Sequence, residues 1–164
     1  MDFVAIIMGS KSDYKVMDEC VEVLKKFDVP YEIVISSAHR SPNRTKEYVK
    51  NAEEKGAKVF IAAAGMAAHL AGAVSAITTK PVIGVPLKGG ALDGLDSLLS
   101  TAQMPSGVPV ATVALGKTGA INSAYLAMQI LALNNAELEG KLKEDRVMKA
   151  KNVELDSADI EVIL

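Results

Sequence analysis

Short unbroken apolar runs, separated by stretches of helical character, constrain this chain more than any other feature. The runs are "FVAIIM", "YEIVIS", "KVFIAAAG", "PVIGVP" and "VPVATVAL". A strand with one wet face alternates polar and apolar residues, whereas a strand covered on both faces reads as a continuous apolar block. The intervening segments are expected to be helices over about 14–27, 44–55, 67–78, 95–104 and 119–134. Five such strands interleaved with helices imply right-handed crossovers and an α/β, three-layer α/β/α architecture around a parallel sheet. With 164 residues, 49% of them hydrophobic, the chain can supply one core for one domain spanning 1–164. Residues 1–133 form the expected core. A C-terminal helical extension, "AELEGKLKEDRVMKAKN" followed by the acidic tail "VELDSADIEVIL", occupies 134–164. A single small domain has little use for it, so these segments are expected to pack on a neighbouring subunit; the plainer alternative is a frayed, solvated end.

Charge and composition narrow the partners. A net charge of −2 with no basic stripe gives no reason to expect nucleic acid or an anionic membrane. No uncharged apolar run reaches the roughly 20 residues of a membrane span. No basic-then-apolar leader precedes "FVAIIM", and the lone Cys20 excludes an internal disulfide, so a soluble cytoplasmic protein is the expectation. Cys20 shares one helical face with Met17, Leu24 and Phe27 and is expected in the core.

Ligands of open parallel sheets bind beyond the carboxyl ends of the strands, where strand order reverses. In the order 2-1-3-4-5 that crevice lies between the first and third strands. The loops bordering it, "GSKSD", "SAHRSP" and "AGMAAHL", hold the unusual polar residues of the chain. In "MGSKSD", backbone N–H groups, hydroxyls and a helix start form an anion cradle; simple helix capping by Ser12 or Asp13 is the plainer reading. Asp13 would repel a phosphate and is expected on ribose hydroxyls or an N–H group. In "SSAHRSP", Arg40 can fork onto a phosphate and His39 can carry a proton near neutral pH, or be a satisfied structural histidine. Pro42 ends this loop and limits its freedom. "AAAGMAAHLAG" implies close approach by a ligand or by another backbone. His69, a few residues into a helix, either supports the substrate or satisfies a carbonyl.

Other chemistries find no footing. "ALGKTG" lacks the first glycine of a phosphate loop, since Ala111 stands there. Two histidines without cysteine or carboxylate at ligand spacing make a poor metal site, and no G-x-S-x-G elbow occurs. Neither a metal nor a cofactor is expected.

The motifs "MGSKSD", "SAHRSP", "AGMAAHLAG", "PVIGVP" and "LDSLLSTAQMPSGVPVAT" occur in the order that resembles class I N5-carboxyaminoimidazole ribonucleotide mutases, from about Val4 to Leu133. The resemblance implies a flavodoxin-like domain assembled as a homo-octamer with sites at subunit borders. It also implies a small phosphorylated aminoimidazole ribonucleoside as substrate, and an ATP- and metal-free transfer of its carboxylate from nitrogen to ring carbon C4. His39 corresponds to the family's catalytic histidine. Ser10, Ser12, Asp13, Ser37, Arg40, Gly65 and His69 match its substrate-contacting positions. Ala71 stands where the family more often has proline, and Ser41 replaces a common threonine. "LKGG" replaces a more polar segment, so no residue of that loop enters the expected site. Three alternatives remain. One is direct carboxylation by the class II relatives, whose third loop lacks "AAHL". Another is a carboxylase-like enzyme acting on a pyridinium mononucleotide, and the last is a non-catalytic flavodoxin-like module.

Overall fold

A computed structural model describes residues 2–163. The apolar runs become a five-stranded, all-parallel sheet of order β2-β1-β3-β4-β5, with β1 Phe3–Met8, β2 Tyr31–Ile35, β3 Ala57–Gly65, β4 Val82–Leu87 and β5 Ala111–Thr112. Ile6 stands beside Ile33 and Ile61, and Ile61 beside Ile83, so one apolar row crosses four strands. Side chains alternate between the faces, and both faces are covered. Val4, Ile6 and Met8 join the cluster containing α1 (Tyr14–Lys26) and α5 (Lys117–Ala132). Phe3, Ala5 and Ile7 join the cluster with Val49 of α2 (Pro42–Lys55) and Val74 of α3 (Leu70–Ser75). Double burial is why β1 contains no polar residue, and each buried Val, Ile or Leu contributes about 1.5–3 kcal/mol.

Gly84 of β4 faces the same side as α3, and a Cβ there would run into Thr101 of α4 (Leu95–Ala102) and Val110. This glycine therefore sets how closely α4 lies on the sheet. Cys20 is fully buried beside Met17 and Leu24, as expected, and burial pushes its thiol up to about 11. Such a thiol is inert packing.

Several boundaries differ from expectation. The fifth strand shrinks from eight expected residues to Ala111–Thr112, because Pro109 lacks a ladder donor and the segment then continues only through Val113 N to Gly84 O and Gly116 N to Pro86 O. α3 is six residues long, starting three residues later than expected, because Met66 takes a left-handed backbone (φ 53°) and turns the chain before a helix can begin. Pro42 ends the loop as expected, with α2 beginning two residues before the expected Arg44. The proline is the first residue of α2, where its missing N–H is harmless.

The largest difference is at the C-terminus. After Asn135, whose side chain accepts from Leu138 N at 3.0 Å, α6 runs unbroken over Ala136–Ile160. The acidic stretch expected as a tail is thus mostly helix, and Leu164 lies outside the described residues. At about 1.5 Å per residue α6 is roughly 37 Å long, yet beyond Lys149 it is almost wholly exposed. Leu138, near its start, is buried. The Asp145 carboxylate accepts from Lys26 Nζ and Tyr125 OH at 2.7 and 2.9 Å, and pairs with Lys149 Nζ at 2.7 Å. Lys149 also sits 3.8 Å from the centre of the Tyr125 ring.

Burial pushes the Asp145 carboxyl up, but the bonds from Lys149, Lys26 and Tyr125 outweigh it and hold it down at about 2. Since this lies below the ordinary 3.8, the associated stability is complete above about pH 4 and is lost as pH falls towards 2. Both lysines are exposed and screened, so the cluster supplies about 1–2 kcal/mol. Asp145→Asn is expected to lower neutral-pH stability by that amount in urea unfolding, with the gap from wild type closing near pH 2. A gap independent of pH would assign the effect to packing.

Candidate active site

The loops at the carboxyl ends of the strands build the site. After β1, Gly9 and Ser10 lead into a single 3-10 turn, Lys11–Asp13, and then α1. Asp13 Oδ2 accepts the Ser10 backbone N–H at 2.9 Å, so the carboxylate takes the N–H role expected as one of its two options. Burial pushes its carboxyl up, opposed by the Ser10 bonds and by Arg40. The hydroxyls of Ser10 and Ser12 lie 2.6 Å apart on the exposed side of this turn.

After β2, the buried Ser36 hydroxyl meets Thr45 Oγ1 at 2.8 Å and fixes the loop to α2. Ser37 accepts Ser41 N on its carbonyl at 2.8 Å, while its own N–H donates to Ser41 Oγ at 3.0 Å. This closed turn presents His39 and Arg40 side by side. Arg40 donates from Nη2 to the Gly9 carbonyl at 3.0 Å and from its backbone N–H to Ser37 Oγ at 3.2 Å. It therefore ties the second loop to the first.

After β3, Gly65 lies so close to β4 that a Cβ would stand 3.3 Å from the Leu87 carbonyl oxygen. Here the small residue serves backbone packing, as do the buried Ala68 and Ala71. Met66 then accepts a left-handed backbone costing about 1 kcal/mol or more, and the reversal carries His69 back over the strand ends. His69 is not inside a helix as expected. It caps α3, and its carbonyl accepts Ala73 N at 2.9 Å.

The reversal brings the two histidines together. His39 Nε2 and His69 Nδ1 are 2.8 Å apart, with ring centres separated by 5.0 Å and planes at 87°. One nitrogen donates and the other accepts, so the contact holds one proton between them. An imidazole partner suits proton shuttling better than a carboxylate would. It accepts from a protonated His39 and, in its other tautomer, donates to a neutral one.

All eight residues expected in the site border one cleft of about 450 Å³: Ser10, Ser12, Asp13, Ser37, His39, Arg40, Gly65 and His69. The cleft stands beyond β1 and β3, where the strand order reverses. Lys88 and Gly89 also line it and were missed in the sequence. The usable signal was positional, since they directly follow β4, the neighbour of β3.

Residues 3–152 match the model of the family described as AIR carboxylase. The chain belongs to the AIR carboxylase family. Among its relatives, the N5-carboxyaminoimidazole ribonucleotide mutase of Pyrococcus horikoshii is 57% identical over 146 residues, covering 89% of this chain and 80% of the relative. The mutase of the same name from Bacillus subtilis is 51% identical over 156 residues, covering 95% and 96%. Among solved structures, Treponema denticola PurE superposes with a TM-score of 0.89 at 27% identity, over 99% of this chain and 100% of that one. The family match runs from β1 into the second half of α6, so it includes every loop of the cleft.

Proposed function

We propose that this member of the AIR carboxylase family is an N5-carboxyaminoimidazole ribonucleotide mutase acting in de novo purine synthesis. The contact between His39 and His69, placed between an anion-binding corner and the β3 loop, carries this reading. Ser10, Ser12 and Arg40 hold the phosphate, and Asp13 stiffens the Ser10 turn. Ser37 positions Arg40, and Gly65 borders the substrate where β3 closes against β4.

Protonated His39 gives its proton to the exocyclic nitrogen as the N–C bond to the carboxylate breaks, which releases CO2 beside the ring. The electron pair of the enamine-like ring then forms the bond from C4 to that CO2. Neutral His39 removes the C4 proton, restores aromaticity and is ready for the next cycle. Only one proton moves out and back, so one imidazole can serve both halves. Holding CO2 against its acceptor replaces a dilute second-order encounter with a neighbouring one. One oxygen of the Asp13 carboxylate, Oδ2, is engaged by the Ser10 N–H, which fixes the group at the edge of the cleft.

The experiment is turnover of the N-carboxylated nucleotide by the purified protein without ATP, using a labelled carboxyl group. Retention of the label at C4 without dependence on bicarbonate is expected. Exchange with dissolved CO2 would favour direct carboxylation, and absence of turnover would leave a binding module.

The same reading makes 1–164 a single cytoplasmic mutase domain that forms a homo-octamer with sites at subunit borders. Support comes from α6, which from its middle to its end exposes Val147, Met148, Val153, Leu155 and Ile160 without covering them in its own chain. Light scattering is expected to return eight chain masses; one mass would remove the octamer.

A further inference from the structure

One cation at the cleft has no part in the steps above. Of the side chains lining it, only Arg40 and Lys88 carry a fixed positive charge. Arg40 follows β2 and Lys88 follows β4, and in the sheet β1 and β3 lie between them. Strands are about 4.8 Å apart, so the two cations reach the cleft from strand ends about 14 Å apart, near its two ends. Arg40 is committed to the phosphate side by its bonds to Gly9 and Ser37. Lys88 is held more loosely. Its ammonium lies 3.1 Å from the Asp93 carboxylate, with side-chain exposures of 61% and 82%. An ion pair between two such exposed groups is weak and exchanges readily. The loop is shaped for that pair: Gly90, Asp93 and Gly94 have φ of 66°, 49° and 96°, and these turns bring the carboxylate back over Lys88.

We propose that Lys88 is a specificity-determining residue that binds the migrating carboxylate, with Asp93 holding its ammonium until the substrate replaces it. This rests on the mutase reading. A substrate with a phosphate at one end and a carboxylate on its base requires a cation at each end of the cleft. The carboxylate is an anion in substrate and product but neutral as CO2 between them. Lys88 therefore acts on binding of the two end states and on orientation, and adds little to the barrier.

The test is calorimetric titration of wild type, Lys88→Gln and Asp93→Asn with two ligands, the C4-carboxylated product and its decarboxylated parent nucleotide. Asparagine tolerates the positive φ at position 93. Lys88→Gln is expected to weaken the product about tenfold and leave the parent unchanged, as loss of a charge-assisted bond does. In turnover it raises KM without lowering kcat. Asp93→Asn is expected to tighten the product about two- to fivefold by freeing the ammonium. Equal losses for both ligands, or no loss for the product, would overturn the assignment. A wild type that binds neither nucleotide overturns the mutase reading itself, a result distinguishable from failure of Lys88 alone.

Discussion

His39→Asn removes turnover of the N-carboxylated nucleotide by a factor of about 10³ or more, while the product still binds within a few-fold of wild type. The side chain is exposed at the cleft, so its loss leaves the core untouched. Asparagine retains a polar group for His69 but has no nitrogen able to take up and release a proton near neutral pH. The steps that fail are protonation of the exocyclic nitrogen and removal of the C4 proton, both of which pass through this imidazole. Circular dichroism, product titration and initial rates together check the outcome. Turnover within tenfold of wild type would transfer proton chemistry to another group and undo the mechanism.

Gly119→Ala is expected to destabilise the protein by about 3 kcal/mol or more, enough to deplete soluble protein. On helix propensity alone the sign would be opposite, since Ala exceeds Gly by about 1 kcal/mol in a helix. Gly119 lies in the first turn of α5, and a Cβ there would collide with the backbone oxygen of Ala114. That carbonyl cannot retreat. Val113 N is bonded to Gly84 O at 3.1 Å and Gly116 N to Pro86 O at 2.9 Å, which fasten the segment to β4. The helix cannot retreat either, because Ala120, Ala124, Ala127 and Met128 have no exposed surface. Thermal and urea unfolding decide between the two signs. A variant as stable as wild type would mean that α5 does not lie this close to the loop before it.

The sheet was legible because burial on both faces leaves a one-dimensional mark, an apolar run without alternation. The cleft was legible for a related reason, as parallel strands deliver successive loops to one end, and three polar loops then converge. Lengths were harder. The β5 run looks like eight strand residues, but an edge position and Pro109 limit pairing to two, and neither condition is local. The end of α6 was misread because its outer half packs on nothing in its own chain, so no amphipathic stripe distinguishes it from an acidic tail. The contact between His39 and His69 could not be read at all. Thirty residues separate them, and their meeting depends on the Met66 reversal, a left-handed turn without a glycine to announce it. Lys88 was passed over because its loop departs from the family pattern. That departure is what makes its charge informative.

The two margins of the sheet decide how readily so apolar a chain could pair edge to edge with another copy. On one side β5 offers two residues and follows a proline, so there is almost no row of unpaired amides to recruit another strand. On the other, Glu32 of β2 is held by Lys55 at 3.1 Å and Tyr48 at 3.3 Å, placing charge along the only longer margin. Backbone-to-backbone growth into fibrils is thereby blocked at both sides. Any association between copies is then left to side-chain contacts, which do not propagate as a shared backbone ladder does.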